Sequence, residues 1–111
     1  MDTNQAIEAL SALAQPTRME TFRRLVRSEP DGIAAGELAR LAGVPQNTMS
    51  AHLAALSRAG LVQGTREGRS IVYRADLDRF RGVALYLLKD CCDGRPEICG
   101  PVVDSLTPCC P

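Results

Sequence analysis

The stretch from Gln46 to Ala59 constrains this chain more than any other. Met49, Leu53 and Leu56 recur at the i, i+4, i+7 spacing of one buried helical face. Gly43-Val44-Pro45 precedes the stretch as a turn, and Gly60 follows it where a helix C-terminal stop belongs. At about 100° per residue the three apolar side chains fall within about 60° of arc. Asn47, Ser50, Ala51 and Ala54 then lie on the opposite side, with Gln46 in the first turn.

The neighbouring segments complete a unit around that helix. Ala35 to Ala42 carries Leu38 and Leu41 and predicts a short helix before the turn. After Gly60, Leu61-Val62-Gln63 and Ile71-Val72-Tyr73 flank Arg66-Glu67-Gly68-Arg69, which reads as a β-hairpin with Gly68 at its turn. Helix, turn, helix and hairpin in that order predict a mainly α domain with a β-hairpin wing, a winged helix-turn-helix.

Two helices precede the unit and one follows it. Asn4 to Ala14 places Ile7, Leu10 and Ala14 on one stripe with Leu13 beside it. Gln15-Pro16-Thr17 ends that helix and starts another that runs to Arg27, because proline stops a helix yet suits the first turn of the next. In the second helix Met19, Phe22, Leu25 and Val26 are expected inside, and Arg23, Arg24 and Arg27 outside. Ser28-Glu29-Pro30-Asp31-Gly32 is a loop. Asp76 N-caps a last helix that reaches Cys92, striped by Leu77, Phe80, Ala84, Leu87 and Cys91 and widened by Val83 and Leu88. Beyond Asp93 the prolines at 96, 101, 108 and 111 predict a loosely ordered tail. The expected organisation is one domain over 1–93 with a cysteine- and proline-containing tail over 94–111.

At 111 residues the chain has room for one domain, and oligomerisation is a common way for so small a chain to add core. No apolar run approaches membrane-spanning length, and the first residues have neither a basic nor an apolar signal region, so a cytoplasmic protein with no membrane partner is expected. The formal net charge is zero, but it is unevenly spread. Residues 33–75 carry a net +3, the first 32 residues −1 and the rest −2. A basic middle between more acidic ends fits a phosphate-facing surface.

The outward face of the Gln46–Ala59 helix is small and polar, which would let it settle deep in a major groove. Gln46 and Asn47 amides can bond adenine edges, and Ser50 can donate or accept. Arg66 and Arg69 at the hairpin tip suit phosphate or minor-groove contact. His52 falls about 60° from the centre of the buried face, where it packs or contacts phosphate rather than reading a base. Any one of these residues could simply face water. The ordered set of helix, turn, helix and Arg-tipped hairpin points to double-stranded operator DNA.

Several dispersed motifs strengthen that reading. Gln46-Asn47-Thr48-Met49-Ser50-Ala51-His52-Leu53, continuing into Leu56, Ala59-Gly60-Leu61-Val62, Arg66-Glu67-Gly68-Arg69 and Tyr73, resembles the recognition helix and wing of the ArsR (ArsR/SmtB) family of repressors. Leu13-Ala14-Gln15-Pro16-Thr17-Arg18 resembles the start of that family's second helix. The resemblance spans residues 5 to 92. It implies a homodimer paired through the first and last helices and bound to a palindromic operator. The stripes Ile7–Leu10–Ala14 and Leu77–Phe80–Ala84–Leu87 fit such pairing independently.

The family's inducer sites vary in position, and two of them are absent here. Glu37-Leu38-Ala39-Arg40-Leu41-Ala42 has no Cys-x-Cys pattern, and no histidine follows His52 to build a zinc-type site on the last helices. What remains is Cys91-Cys92, Cys99 and Cys109-Cys110. Such clustering in a cytosolic chain points to metal or redox chemistry rather than structural disulfides. Adjacent cysteines on a helix diverge by about 100°, so convergence needs the helix end to open at Asp93-Gly94 and the following loop to fold Cys99 back. Three thiolates on one side of an ion suit a soft centre with a lone pair, As(III) or Sb(III). Cys91 through Cys99 also resembles the arsenite site of ArsR repressors that sense from the end of the last helix.

The expected inducer is therefore As(III) or Sb(III) at Cys91, Cys92 and Cys99, with Cys109 and Cys110 as further candidate ligands and no organic cofactor. A thiol redox sensor or a divalent soft-metal sensor of the same fold is the alternative. A thiol-dependent reductase is less well supported, because the chain shows no nucleophile–base pair, anion loop or Cys-x-x-Cys motif. No enzyme is expected.

Overall fold

A computed structural model describes residues 1–91 together with 97, 100–102 and 105. The elements run α1 (Thr3–Leu13), α2 (Pro16–Arg27), β1 (Ile33–Ala34), α3 (Ala35–Ala42), α4 (Gln46–Arg58), β2 (Val62–Glu67), β3 (Ser70–Ala75) and α5 (Leu77–Cys91). This is a mainly helical winged helix-turn-helix, as the sequence pattern predicts.

Local chemistry sets most of the boundaries. α1 starts at Thr3 rather than Asn4 because Asp2 and Gln5 form a capping box. Asp2 Oδ1 accepts from the Gln5 N–H at 2.8 Å, and Gln5 Oε1 accepts from the Asp2 N–H at 3.0 Å. α2 opens with Pro16 at its first position, behind Gln15, whose side chain accepts from the Arg18 N–H at 2.8 Å. α4 ends in a Schellman turn. Gly60 takes φ +78°, its N–H reaches the Ser57 carbonyl at 2.9 Å, and the Leu61 N–H reaches the Leu56 carbonyl at 3.0 Å. Asp76 caps α5, accepting from the Arg79 N–H at 3.0 Å.

The wing is a hairpin with Glu67 opposite Ser70 and a two-residue loop, Gly68-Arg69. Such loops need φ > 0 at the first position, and Gly68 has φ +65°. The sheet has a third strand that the sequence pattern does not reveal. β1 pairs antiparallel with β3, Ile33 opposite Tyr73 and Ala34 opposite Val72, for a strand order of β1-β3-β2. Two residues are too few to show a periodicity.

The core gathers Ala9, Leu13, Phe22, Leu25, Leu38, Met49, Leu53, Leu56, Leu61, Val62 and Val83 from all five helices and the sheet. One expectation about α2 is corrected by the structure. Met19 and Val26 do not face inward; they are 42% and 37% exposed. They line a groove of about 460 Å³ with Leu13, Phe22 and Phe80, rimmed by Arg23 and Arg27.

α1 turns Ala6, Ala9, Ala12 and Leu13 to the core, leaving Ile7, Leu10 and Ala14 exposed. Alanines let the helix backbone approach closely, so the bulky stripe is carried outward. α5 likewise buries Val83 and exposes Leu77, Phe80, Leu85 and Leu87. Thr3 Oγ1 and Tyr86 OH share a hydrogen bond between α1 and α5. The expected loose tail falls mostly outside the described residues, and those described within it, 97, 100–102 and 105, are helical.

Candidate nucleic-acid interface

α4 buries Met49, Leu53 and Leu56 and exposes Gln46, Asn47, Ser50, Ala51 and Ala54. No side chain between Asn47 and Ala54 on that face is larger than asparagine or threonine, so the helix backbone can approach a partner surface closely. Pro45, at the N-cap, has no side chain able to cap the first turn. Asn47 Oδ1 accepts from the Thr48 N–H at 2.9 Å, which leaves the Asn47 amide nitrogen to donate outward. Arg58 closes α4, exposed and about 180° from the centre of the buried face. Sequence reasoning missed Arg58 as a candidate contact, although its spacing from Asn47, Ala51 and Ala54 puts it on the same stripe.

Every residue of β2 after Val62 is exposed. Arg66 and Arg69 are exposed at the wing and make no ion pair among the described residues. The wing's one carboxylate is already engaged, with Glu67 Oε2 3.1 Å from Arg74 Nη2. Arg74 Nε also donates to the Pro30 carbonyl at 3.0 Å, tying the wing to the loop before β1. Arg66 and Arg69 therefore present charge that no described residue cancels.

Arg40 is different, although it lies in the same basic stretch. It forms a two-pronged pair with Glu37 one turn away, one contact being Arg40 Nε to Glu37 Oε2 at 2.8 Å. The hydrogen bond from Arg40 holds the Glu37 carboxyl below its ordinary value, and the same bond raises Arg40. Arg40 is thus locally neutralised.

His52 is half-buried at the edge of α4, and its Nδ1 accepts from Arg18 Nε at 3.2 Å. The structure brings Gln46, Asn47, Ser50 and His52 together on one helix, with Arg66 and Arg69 on the adjoining wing. The thiols cannot be placed in the same way. Cys91 is the last residue of α5, but its side chain lies outside the described residues, as do Cys92, Cys99, Cys109 and Cys110 altogether. Among the described residues no group of three or more His, Cys, Asp or Glu side chains could hold a metal ion.

A family model described as a helix-turn-helix domain matches residues 13–65. The chain is 40% identical over 67 residues to the HTH-type transcriptional repressor SmtB of Mycobacterium tuberculosis, covering 60% of this chain and 47% of that protein. It is 37% identical over 62 residues to ArsR2 of Halobacterium salinarum, a candidate arsenical resistance operon repressor, covering 56% and 51%. It spans about half the length of these curated relatives. Among solved structures it is similar to the homodimeric winged helix-turn-helix DNA-binding domain of Mb0332 from Mycobacterium bovis, a possible ArsR-family transcriptional regulator. That likeness has a TM-score of 0.65 at 32% identity and covers 75% of each chain.

Proposed function

The chain belongs to the ArsR/SmtB family of winged helix-turn-helix regulators, and we propose that it is a homodimeric transcriptional repressor released from operator DNA by trivalent arsenic or antimony. The observation that carries the DNA-binding part is the exposed, small, polar face of α4 beside two wing arginines that make no ion pair among the described residues. In this reading α4 lies in the major groove, where Gln46, Asn47 and Ser50 meet base edges. Arg58, Arg66, Arg69 and His52 meet the phosphate backbone.

The bare apolar faces of α1 and α5 support pairing of two copies, since Ile7 and Leu10 stand beside a helix that exposes Leu77, Phe80 and Leu87. A twofold pair presents two recognition helices and fits a palindrome with half-sites about 34 Å apart. No helix among the described residues is long and apolar enough to cross a membrane. We place the activity in the cytoplasm, where operator DNA is accessible.

The inducer assignment rests on the donor set. The only imidazole in the chain lies on α4, its Nδ1 held by Arg18 of α2, so a ligand set at the end of α5 draws on sulfur with or without carboxylate. Thiolates select soft ions, and Cys91, Cys92 and Cys99 supply three of them. The relatedness to an arsenical resistance repressor supports the same choice. The ion binds at the end of a dimer-forming helix, so it can alter how the two recognition helices are spaced. By linkage, DNA weakens inducer binding by the same factor.

The test is fluorescence anisotropy on a duplex selected from a random library with the reduced protein. Binding is expected without arsenite and loss of binding with it. A duplex released only by oxidant, or only by a divalent ion such as Cd(II), would replace arsenic with the redox or divalent reading.

A further inference from the structure

Arg18 stands in the first turn of α2 and reaches the recognition helix. Its Nε–H donates to His52 Nδ1 at 3.2 Å, and Nη1 approaches the Ala12 carbonyl at the end of α1 at 3.5 Å. A guanidinium has five N–H donors, no acceptor, and does not deprotonate in proteins. Nδ1 must therefore keep its lone pair, and the neutral ring carries its proton on Nε2. Arg18 is half-buried and makes no ion pair among the described residues, so its positive charge stands uncompensated behind the imidazole. That charge polarises the Nε2–H outward and favours an anion in front of it. His52 itself occupies the border between the buried and exposed faces of α4, where a backbone strand would run if the helix lay in a groove.

We propose that Arg18 is a positioning residue for DNA binding: it holds His52 as the Nε2–H tautomer, and that N–H donates to a non-bridging oxygen of a DNA phosphate. The proposal rests on the DNA-binding reading above and adds to it a fixed donor atom and the residue that fixes it. The contact is neutral on the protein side. Unlike a wing arginine, it displaces no counterion and should leave the salt dependence of binding unchanged.

His52 is the only histidine in the sequence, so its ring nitrogens give one isolated set of ¹⁵N resonances. In mildly alkaline buffer the DNA-free full chain should show a proton on Nε2 and an Nδ1 resonance displaced by an accepted hydrogen bond. Arg18→Met should remove that displacement, and Arg18→Lys, which keeps a donor, should restore part of it. On the selected duplex, His52→Gln places an amide donor near the Nε2 position and should bind within about threefold of wild type. His52→Asn places its amide near Nδ1 and should bind roughly thirtyfold more weakly, the worth of the two hydrogen bonds a dimer loses, with the salt slope unchanged.

A proton on Nδ1 in the wild type, or an Nδ1 resonance indifferent to Arg18→Met, overturns the proposal. So does equal binding by wild type and His52→Asn, or equal loss in both His52 variants. Should a His52 variant melt early, the resonance comparison in wild type and the Arg18 variants still decides. Arg66→Ala and Arg69→Ala run alongside: if they weaken binding while His52→Asn does not, only this inference fails. If none of these variants alters binding, the DNA-facing assignment of α4 and the wing fails with it.

Discussion

The wing arginines allow a worked prediction. Arg66 is exposed and unpaired among the described residues, whereas Arg74 on the adjoining strand is already neutralised by Glu67 at 3.1 Å. Each phosphate contact made by a cation contributes about 0.9 to the slope of log affinity against log salt. A twofold repressor loses two such contacts in Arg66→Ala, so the slope should become shallower by about 1.8. Between about 50 and about 200 mM salt, a fourfold range, wild type should then lose roughly twelvefold more affinity than the variant. Arg81 serves as the control, because it lies on α5 and is paired with Asp78 at 3.0 Å. Arg81→Ala should keep the wild-type slope. The measurement is anisotropy on the selected duplex across a salt series, with Arg69→Ala run in parallel. Wild-type slopes in both wing variants would refute the assignment of the wing to phosphate.

Other outcomes follow from other parts of the molecule. Ile7→Glu with Leu87→Glu places charge on exposed positions of α1 and α5, and should give a folded monomer by sedimentation with strongly weakened DNA binding. Cys99→Ser should keep DNA binding and blunt the arsenite response, while Cys109→Ser with Cys110→Ser should respond nearly as wild type. Calorimetry of arsenite binding in two buffers should show little proton release, because each displaced hydroxide leaves as water with the thiol proton; a divalent ion would release protons. Leu25, fully buried between α2 and the core, should cost about 2–5 kcal/mol as Leu25→Ala in denaturant unfolding. The lowered carboxyl of Glu37 contributes stability above the ordinary carboxylate value and loses it as pH falls through the lowered value. Glu37→Gln should therefore slightly narrow the gap between neutral and acid melting temperatures, slightly because the pair is exposed.

Much of the candidate site is legible in the sequence because its signals are local. The apolar period of Met49, Leu53 and Leu56 orients α4 by itself, since a helix with one apolar face has only one way to turn. The Arg-tipped hairpin is legible because a two-residue loop needs a residue tolerant of φ > 0 where Gly68 stands. Arg58 was equally within reach of the same helical arithmetic. The Arg18–His52 hydrogen bond was not, because it joins residues 34 apart in the chain and no periodicity encodes it.

What the sequence alone determined, then, is the order of elements, the turn at 43–45, the stop at Gly60 and the outward face of α4. Tertiary structure decided which faces of α1, α2 and α5 reach the core. α1 has both an alanine face and a bulky Ile7–Leu10 stripe, and periodicity cannot rank two apolar faces of one helix. Close packing ranks them: Ala6, Ala9 and Ala12 let the backbone sit against α2 and α4, and the larger side chains are left outside. Strand β1 belongs to the same class, since its two residues become a strand only when Tyr73 and Val72 are there to pair with them.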